Sequence, residues 1–268
     1  TVADGEIVNY LLSYNYPRIL GGAWSLGAEM VLLRQPVESS NSVYEQDAWS
    51  ASFRLSRWLN LRGPSRGWQI GSGMVWRQNT YEYRAGPPTS TYIDANAVGV
   101  PLSVQFIDVN DHLFSRSGVD YGYIGELGAQ ILGSDSHYNR HELYYRRYFL
   151  LAGRPHQNID LQWKMGFSSG ELFPGEIYAY TLGGSKRVRA YERNTINGNA
   201  YFLINLQYLT PVFGYKPLRL VAFTDIGNAY PSNTEMHLGK VLWDVGVGFR
   251  LRLKSFVKID LRVDAADG

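Results

Sequence analysis

Apolar and polar residues alternate along most of this chain with a period of two, the signal of strands that have one face in apolar surroundings. In NIDLQWKMG, Ile159, Leu161, Trp163 and Met165 share one face, and Asn158, Asp160, Gln162 and Lys164 share the other. VLWDVGVGFRLRLK sets Trp243, Val245, Val247, Phe249, Leu251 and Leu253 against Asp244, Gly246, Gly248, Arg250 and Arg252. FVKIDLRVD sets Val257, Ile259, Leu261 and Val263 against Lys258, Asp260, Arg262 and Asp264. The earlier part repeats the pattern with more noise around Trp24–Leu32, Trp49–Leu55, Val98–Phe106 and Tyr121–Ile131. Turn signals separate these runs: YPRILGG, RGPSRG, AGPPTS, GSDSHYN, AGRPHQ, VFGYKP and YPSNTE. About twelve strands result, roughly 22 residues per strand plus link, close to the repeat of outer-membrane barrels. No linker or composition break divides the chain, which predicts one domain over 1–268.

Periodicity leaves two architectures open. A soluble sandwich or small barrel turns its apolar face inward, and a membrane barrel turns it outward to lipid. The strands are long, and Trp or Tyr sits near their ends, where interfacial girdles form. The polar faces mix glycine with charges of both signs, including Glu29, Glu126, Asp160, Lys164, Asp244, Arg250, Arg252, Asp260 and Arg262. These features favour an all-β transmembrane antiparallel barrel with a crowded, ion-paired lumen. No apolar run reaches the ~20 residues of a membrane helix. The chain has 268 residues, no cysteine and a net charge of +2. Disulfides and thiolate metal sites are therefore excluded, and the charge gives no reason to expect nucleic acid. The first residues, TVADGEIV, read as those of a mature or trimmed product.

From about 171 to 199 the strand pattern stops. Structureless links this long are usually functional or disordered. Inside lies VRAY (188–191), followed downstream by NLQYLTP (205–211), FTDIG (223–227), GVGFRL (246–251) and KIDL (258–261). This series resembles the C-terminal half of the outer-membrane assembly-factor superfamily, also called the bacterial surface antigen family. The order and spacing match over about the last hundred residues. Earlier residues resemble the family only in style. The resemblance implies a barrel that inserts or translocates proteins, with a lid loop folded into the lumen. It implies a loop anchor made of Val188, Arg189, Tyr191, Gln207, Phe223, Asp225 and Gly227, in which Arg189 faces Asp225 across the lumen. The same carboxylate would suit any desolvated loop arginine, since a bidentate pair fixes direction as well as position.

Three departures are visible. Ala190 stands where the motif has glycine, which implies a different backbone at the loop tip. Gln207 stands where the family often has a second acidic partner. The chain ends VDAADG, without the terminal aromatic strand of such barrels, and it carries no periplasmic repeats. Either a strand is missing at each end or the barrel closes with twelve.

Other chemistry is thin. His112, His137, His141, His156 and His237 have no metal-ligand spacing, and no cofactor is expected. NRHELYYRRYF offers His141 and Glu142, but no Gly-x-Ser-x-Gly supplies a nucleophile, so the reading is non-enzymatic. YYRRYF reads as an aromatic girdle beside arginines that meet lipid head groups. The expected partners are the bilayer and a client protein, with no nucleic acid. The rival reading is a structural or porin-like barrel with no client, and an outer-membrane hydrolase comes after it. Oligomeric state is left open.

Overall fold

The computed structural model describes residues 8–19, 22–39, 42–60, 66–85, 94–172, 179–185, 187–254 and 258–268. The elements are β1 (Val8–Ile19), β2 (Trp24–Ser39), β3 (Ser42–Trp58), β4 (Gly67–Ala85), β5 (Asp94–His112), β6 (Ser115–Gly128), β7 (Tyr138–Leu150), β8 (Asn158–Gly170), β9 (Tyr180–Leu182), β10 (Ile196–Gly198), β11 (Ala200–Val212), β12 (Tyr215–Tyr230), β13 (Leu242–Lys254) and β14 (Lys258–Asp267). Twelve of them form one antiparallel sheet in chain order, β1 to β8 and then β11 to β14. Alternation and tight turns produce this meander directly. Leu113–Phe114 and Phe213–Gly214, for example, are two-residue links. Phe213 and Gly214 both have positive φ, 48° and 76°, as a hairpin turn of the primed type requires.

The expected closure is not seen. Among the described residues no ladder joins β1 to β14, so the sheet is open, with β1 and β14 each paired on one side only. The strand count matches the expectation, and two details differ from it. β6 ends at Gly128, so Ala129 and Ile131 leave the alternation, and Gln130–Leu132 form a 3-10 turn that projects Ile131 into the open. The 171–199 link is also not wholly structureless, because β9 and β10 pair as a small antiparallel ribbon.

The two faces of the sheet differ as the pattern predicts. One exposes Met30, Phe53, Trp76, Trp243, Val247 and Phe249, among others. Near the end where β4 begins, Trp68, Phe106, Tyr121 and Tyr145 form a continuous belt across β4–β7, with successive ring centroids 5.3–6.3 Å apart. Toward the opposite end the same face becomes polar. The Trp49 indole N–H donates to Gln78 Oε1 at 2.6 Å, and beyond it Arg34 pairs with Asp47 and Glu45. From Trp68 to Gln78, ten residues of β4 rise ~33 Å. Tilted by about 40°, that spans ~25 Å, the height of the apolar band of a membrane barrel.

YYRRYF divides between the faces. Tyr145, Arg147 and Phe149 lie on the apolar side, with Arg147 over the Phe149 ring. Tyr144, Arg146 and Tyr148 lie on the polar side, where Arg146 pairs with Asp120 at 3.3 Å. Strand alternation thus keeps only one of the two arginines on the side expected to meet head groups.

Candidate functional site

The site lies on the polar face of β11–β14, where the link between β8 and β11 packs. Gly183 and Gly184, with φ of 94° and 90°, turn the chain out of β9. A Cβ at Gly183 would overlap the Glu192 carbonyl, so the close return of the chain requires glycine there. Val188 is completely buried with Leu182, Tyr201 and Leu203, and Tyr191 packs at the edge of that cluster. Val188 and Tyr191 therefore fasten the segment by apolar contact, and Arg189 between them points to the carboxylates.

The Arg189 side chain is 3% exposed, and Asp225 is fully buried. Arg189 donates from Nε to Asp225 Oδ2 at 2.6 Å and from Nη2 to Oδ1 at 2.8 Å, the two-pronged geometry of a guanidinium on a carboxylate. Its plane lies over Phe223, 3.4 Å from the ring centroid. A Cβ at Gly246 would run into that ring, so glycine on β13 makes room for the platform. Gly227 does comparable work for the apolar half: a Cβ there would come within 2.7 Å of the Phe202 carbonyl and crowd Leu203. Phe, Asp and Gly at alternate positions of β12 thus supply a platform, a counter-charge and clearance.

Ala190 does not have a positive φ, so no left-handed conformation is imposed where the family motif has glycine. Its N–H donates to Asp244 Oδ2 at 3.1 Å. Gln207 lies opposite Asp160 and Phe223 in register, and among the described residues it makes no polar contact with Arg189. The structure instead brings in three residues the motif does not single out. Asn205 donates to Asp225 Oδ1 at 2.7 Å and to the Arg187 carbonyl at 3.0 Å, joining strand, carboxylate and segment. Asp264 approaches Arg189 Nη1 at 3.5 Å. Asp244 is fully buried directly opposite Asp225, and its Oδ1 has no hydrogen-bond partner among the described residues. The available signal was strand parity, since 205, 225, 244 and 264 are all polar-face positions.

On the β7–β8 side the segment is held by Tyr180, whose hydroxyl donates to the His141 carbonyl at 2.9 Å. Burial pushes this phenol up to about 12, keeping it a neutral donor. Tyr201 reaches Glu142 at 2.5 Å, and Glu142 also accepts from Lys164 at 2.8 Å. Glu142 is thus engaged in a structural pair. His141 lies on the opposite face, stacked on Phe167.

Comparison with known proteins bears on the fold and the family. No match was found among curated protein sequences. The fold is similar to that of BamA from Haemophilus ducreyi lacking POTRA domains 1–3, with a TM-score of 0.73 at 15% identity over 97% of this chain and 58% of that one. CdiB from Acinetobacter baumannii gives 0.67 at 18% identity, over 96% of this chain and 46% of that one. CdiB from Escherichia coli gives 0.68 at 13%, over 97% and 53%. The chain thus spans about half the length of these structures. The Omp85 superfamily domain matches residues 3–258, nearly the whole chain, and the chain belongs to that superfamily of outer-membrane β-barrel proteins.

Proposed function

We propose that this chain, as a single domain over 1–268, is the membrane barrel of a protein-insertion or translocation system in the bacterial outer membrane. The stretch 171–199 serves as its lid, held in the lumen by Val188, Arg189 and Tyr191. One observation carries the reading: a nearly fully buried arginine from a link segment, two-pronged on a buried strand carboxylate. Removing one partner of such a pair costs about 3–5 kcal/mol, because the other charge is left uncompensated. That is strong enough to hold a segment in one place and specific enough to set its direction. The bilayer is one partner, and a client polypeptide is the other. No catalytic role is assigned.

A second reading, a solute pore with no client, has its own support. The polar face of β1–β5 borders a cavity of about 460 Å³ whose lining includes Ser13, Ser25, Ser52, Ser56 and Ser103 together with the charged Glu29 and Arg54. Conductance in planar bilayers separates the two. A mostly closed channel that opens when residues 187–193 are deleted supports the lid. A steady open pore, indifferent to the deletion, supports the solute reading.

A further inference from the structure

The stretch 179–199 is fastened at two places by different means. Its base is the open end of the β9–β10 ribbon, where Tyr180 pairs with Gly198. The Tyr180 hydroxyl accepts from the His141 N–H at 3.1 Å. It lies 2.9 Å from the His141 carbonyl and 3.0 Å from the Phe167 carbonyl, so its one proton serves either. His141 and Phe167 face each other on β7 and β8, so this phenol grips both strands of the wall. Asn199 completes the base. Its carbonyl accepts from the Ser168 N–H at 2.8 Å, and its N–H donates to the Tyr230 carbonyl at 2.8 Å. Its Oδ1 accepts from the Ala179 N–H at 3.0 Å. A Cβ at Gly198 would overlap the Tyr230 backbone, so the base lies against β12 without a gap. These bonds are neutral and spread over β7, β8 and β12.

The far end is held differently. Arg189 is held by charge, and Val188 shares one apolar cluster with Leu182, Tyr201 and Leu203. On the β7–β8 side a cavity of about 330 Å³ separates the ribbon from the wall, and its lining includes Glu142, Lys164, Thr181 and Arg187. A polar cavity of that size suits water rather than packing.

We propose that 179–199 is a hinged flap, in which Tyr180 and Asn199 are positioning residues that keep the base on the wall when Arg189 and Val188 let go. The ribbon then swings as a unit and returns to the same carboxylate. A free loop of this length would have to reorder every residue to find Asp225 again, whereas a hinged ribbon keeps most of that order. The consequence for transport rests on the reading of this stretch as a lid, and the attachment itself does not.

The test uses hydrogen–deuterium exchange on the full chain in nanodiscs. Val188→Ala with Arg189→Gln releases the far end. Amides of 187–193 should then exchange about tenfold faster or more, while those of Ser168, Ala179 and Asn199 keep the parent rates. Adding Tyr180→Phe and Asn199→Ala should free the base amides as well. Each of these changes removes only polar atoms or a small side chain, and parent-like exchange in the rest of the sheet would confirm that the variants fold. Equal release of 179–182, 187–193 and 196–199 by the first pair alone would overturn the hinge, and so would base amides indifferent to the second pair. Conductance is read on the same proteins. The first pair should give brief openings that reclose, and all four changes should prolong them. Conductance indifferent to every variant, with the exchange pattern as expected, would remove the lid reading and leave the hinge standing.

Discussion

At the residue scale, the site works by dividing labour between neighbours. Val188 and Tyr191 fasten the segment by burial, and Arg189 fastens it by charge. Arg189→Ala and Asp225→Ala should each lower the heat resistance of the folded band on a gel. In a double-mutant cycle their coupling should be about 2 kcal/mol or more, because each single change strands the other charge. Additive losses would show that the pair is not a unit. Gly246→Ala tests the platform rather than the charge. Its methyl would meet both the Ala265 carbonyl on β14 and the Phe223 ring, so this variant should also lose heat resistance, with Asp225 intact. A variant as stable as the parent would show that the ring yields without cost.

His156 makes a different kind of prediction, at the turn between β7 and β8. It packs edge-on to Phe114 and lies 3.3 Å from Ser115 Oγ. Burial, then Lys216, Arg219 and His112, hold its imidazole below the usual histidine range. The unfolded chain, titrating near ~6.5, therefore takes up the proton first as pH falls. The turn should be tightest above that value and loosen toward acid. An NMR titration of His156 at or above the ordinary histidine value would contradict this.

At the scale of elements, most of the sheet was legible because period two has one physical cause: each strand separates two unlike environments. Strand count, order and facing follow from it. YYRRYF shows how far parity reaches, for reading it as a cluster hides that Arg146 and Arg147 face opposite ways. The polar cluster around Arg189 was legible only in part. Arg189 and Asp225 stand out as a motif, but Asn205, Asp244 and Asp264 come together through register between strands distant in sequence, which no local pattern encodes. The aromatic belt gives this scale its prediction. If Trp68 marks one edge of the bilayer and Trp49 the other, lipids with a shallow quencher should quench single-Trp variants at 49 or 68 strongly. A variant whose sole Trp is introduced by Phe53→Trp, in register with Met74 near the middle of that span, should respond more to a quencher near the bilayer centre. Uniform quenching would remove the apolar band from the argument.

At the scale of the whole molecule, the open question is closure. An even number of strands brings β1 and β14 together antiparallel, as barrel closure in a meander requires. The exposed edge of β1 favours it: Tyr10, Leu12 and Tyr14 are more than half exposed on the apolar face, an edge that invites pairing. The chain has no cysteine, so engineered pairs report cleanly. Leu12→Cys is combined in turn with Leu261→Cys, Val263→Cys or Ala265→Cys, all on the apolar face of β14. A disulfide needs Cα atoms within about 7 Å, so at most one or two of these registers can bridge. Closure predicts one efficient bridge within a single chain in membranes, independent of protein concentration. Bridges between chains that strengthen with concentration would mean that the β1 edge meets a second copy. No bridge at any register would mean that another strand or polypeptide occupies the seam, the arrangement a client strand would need.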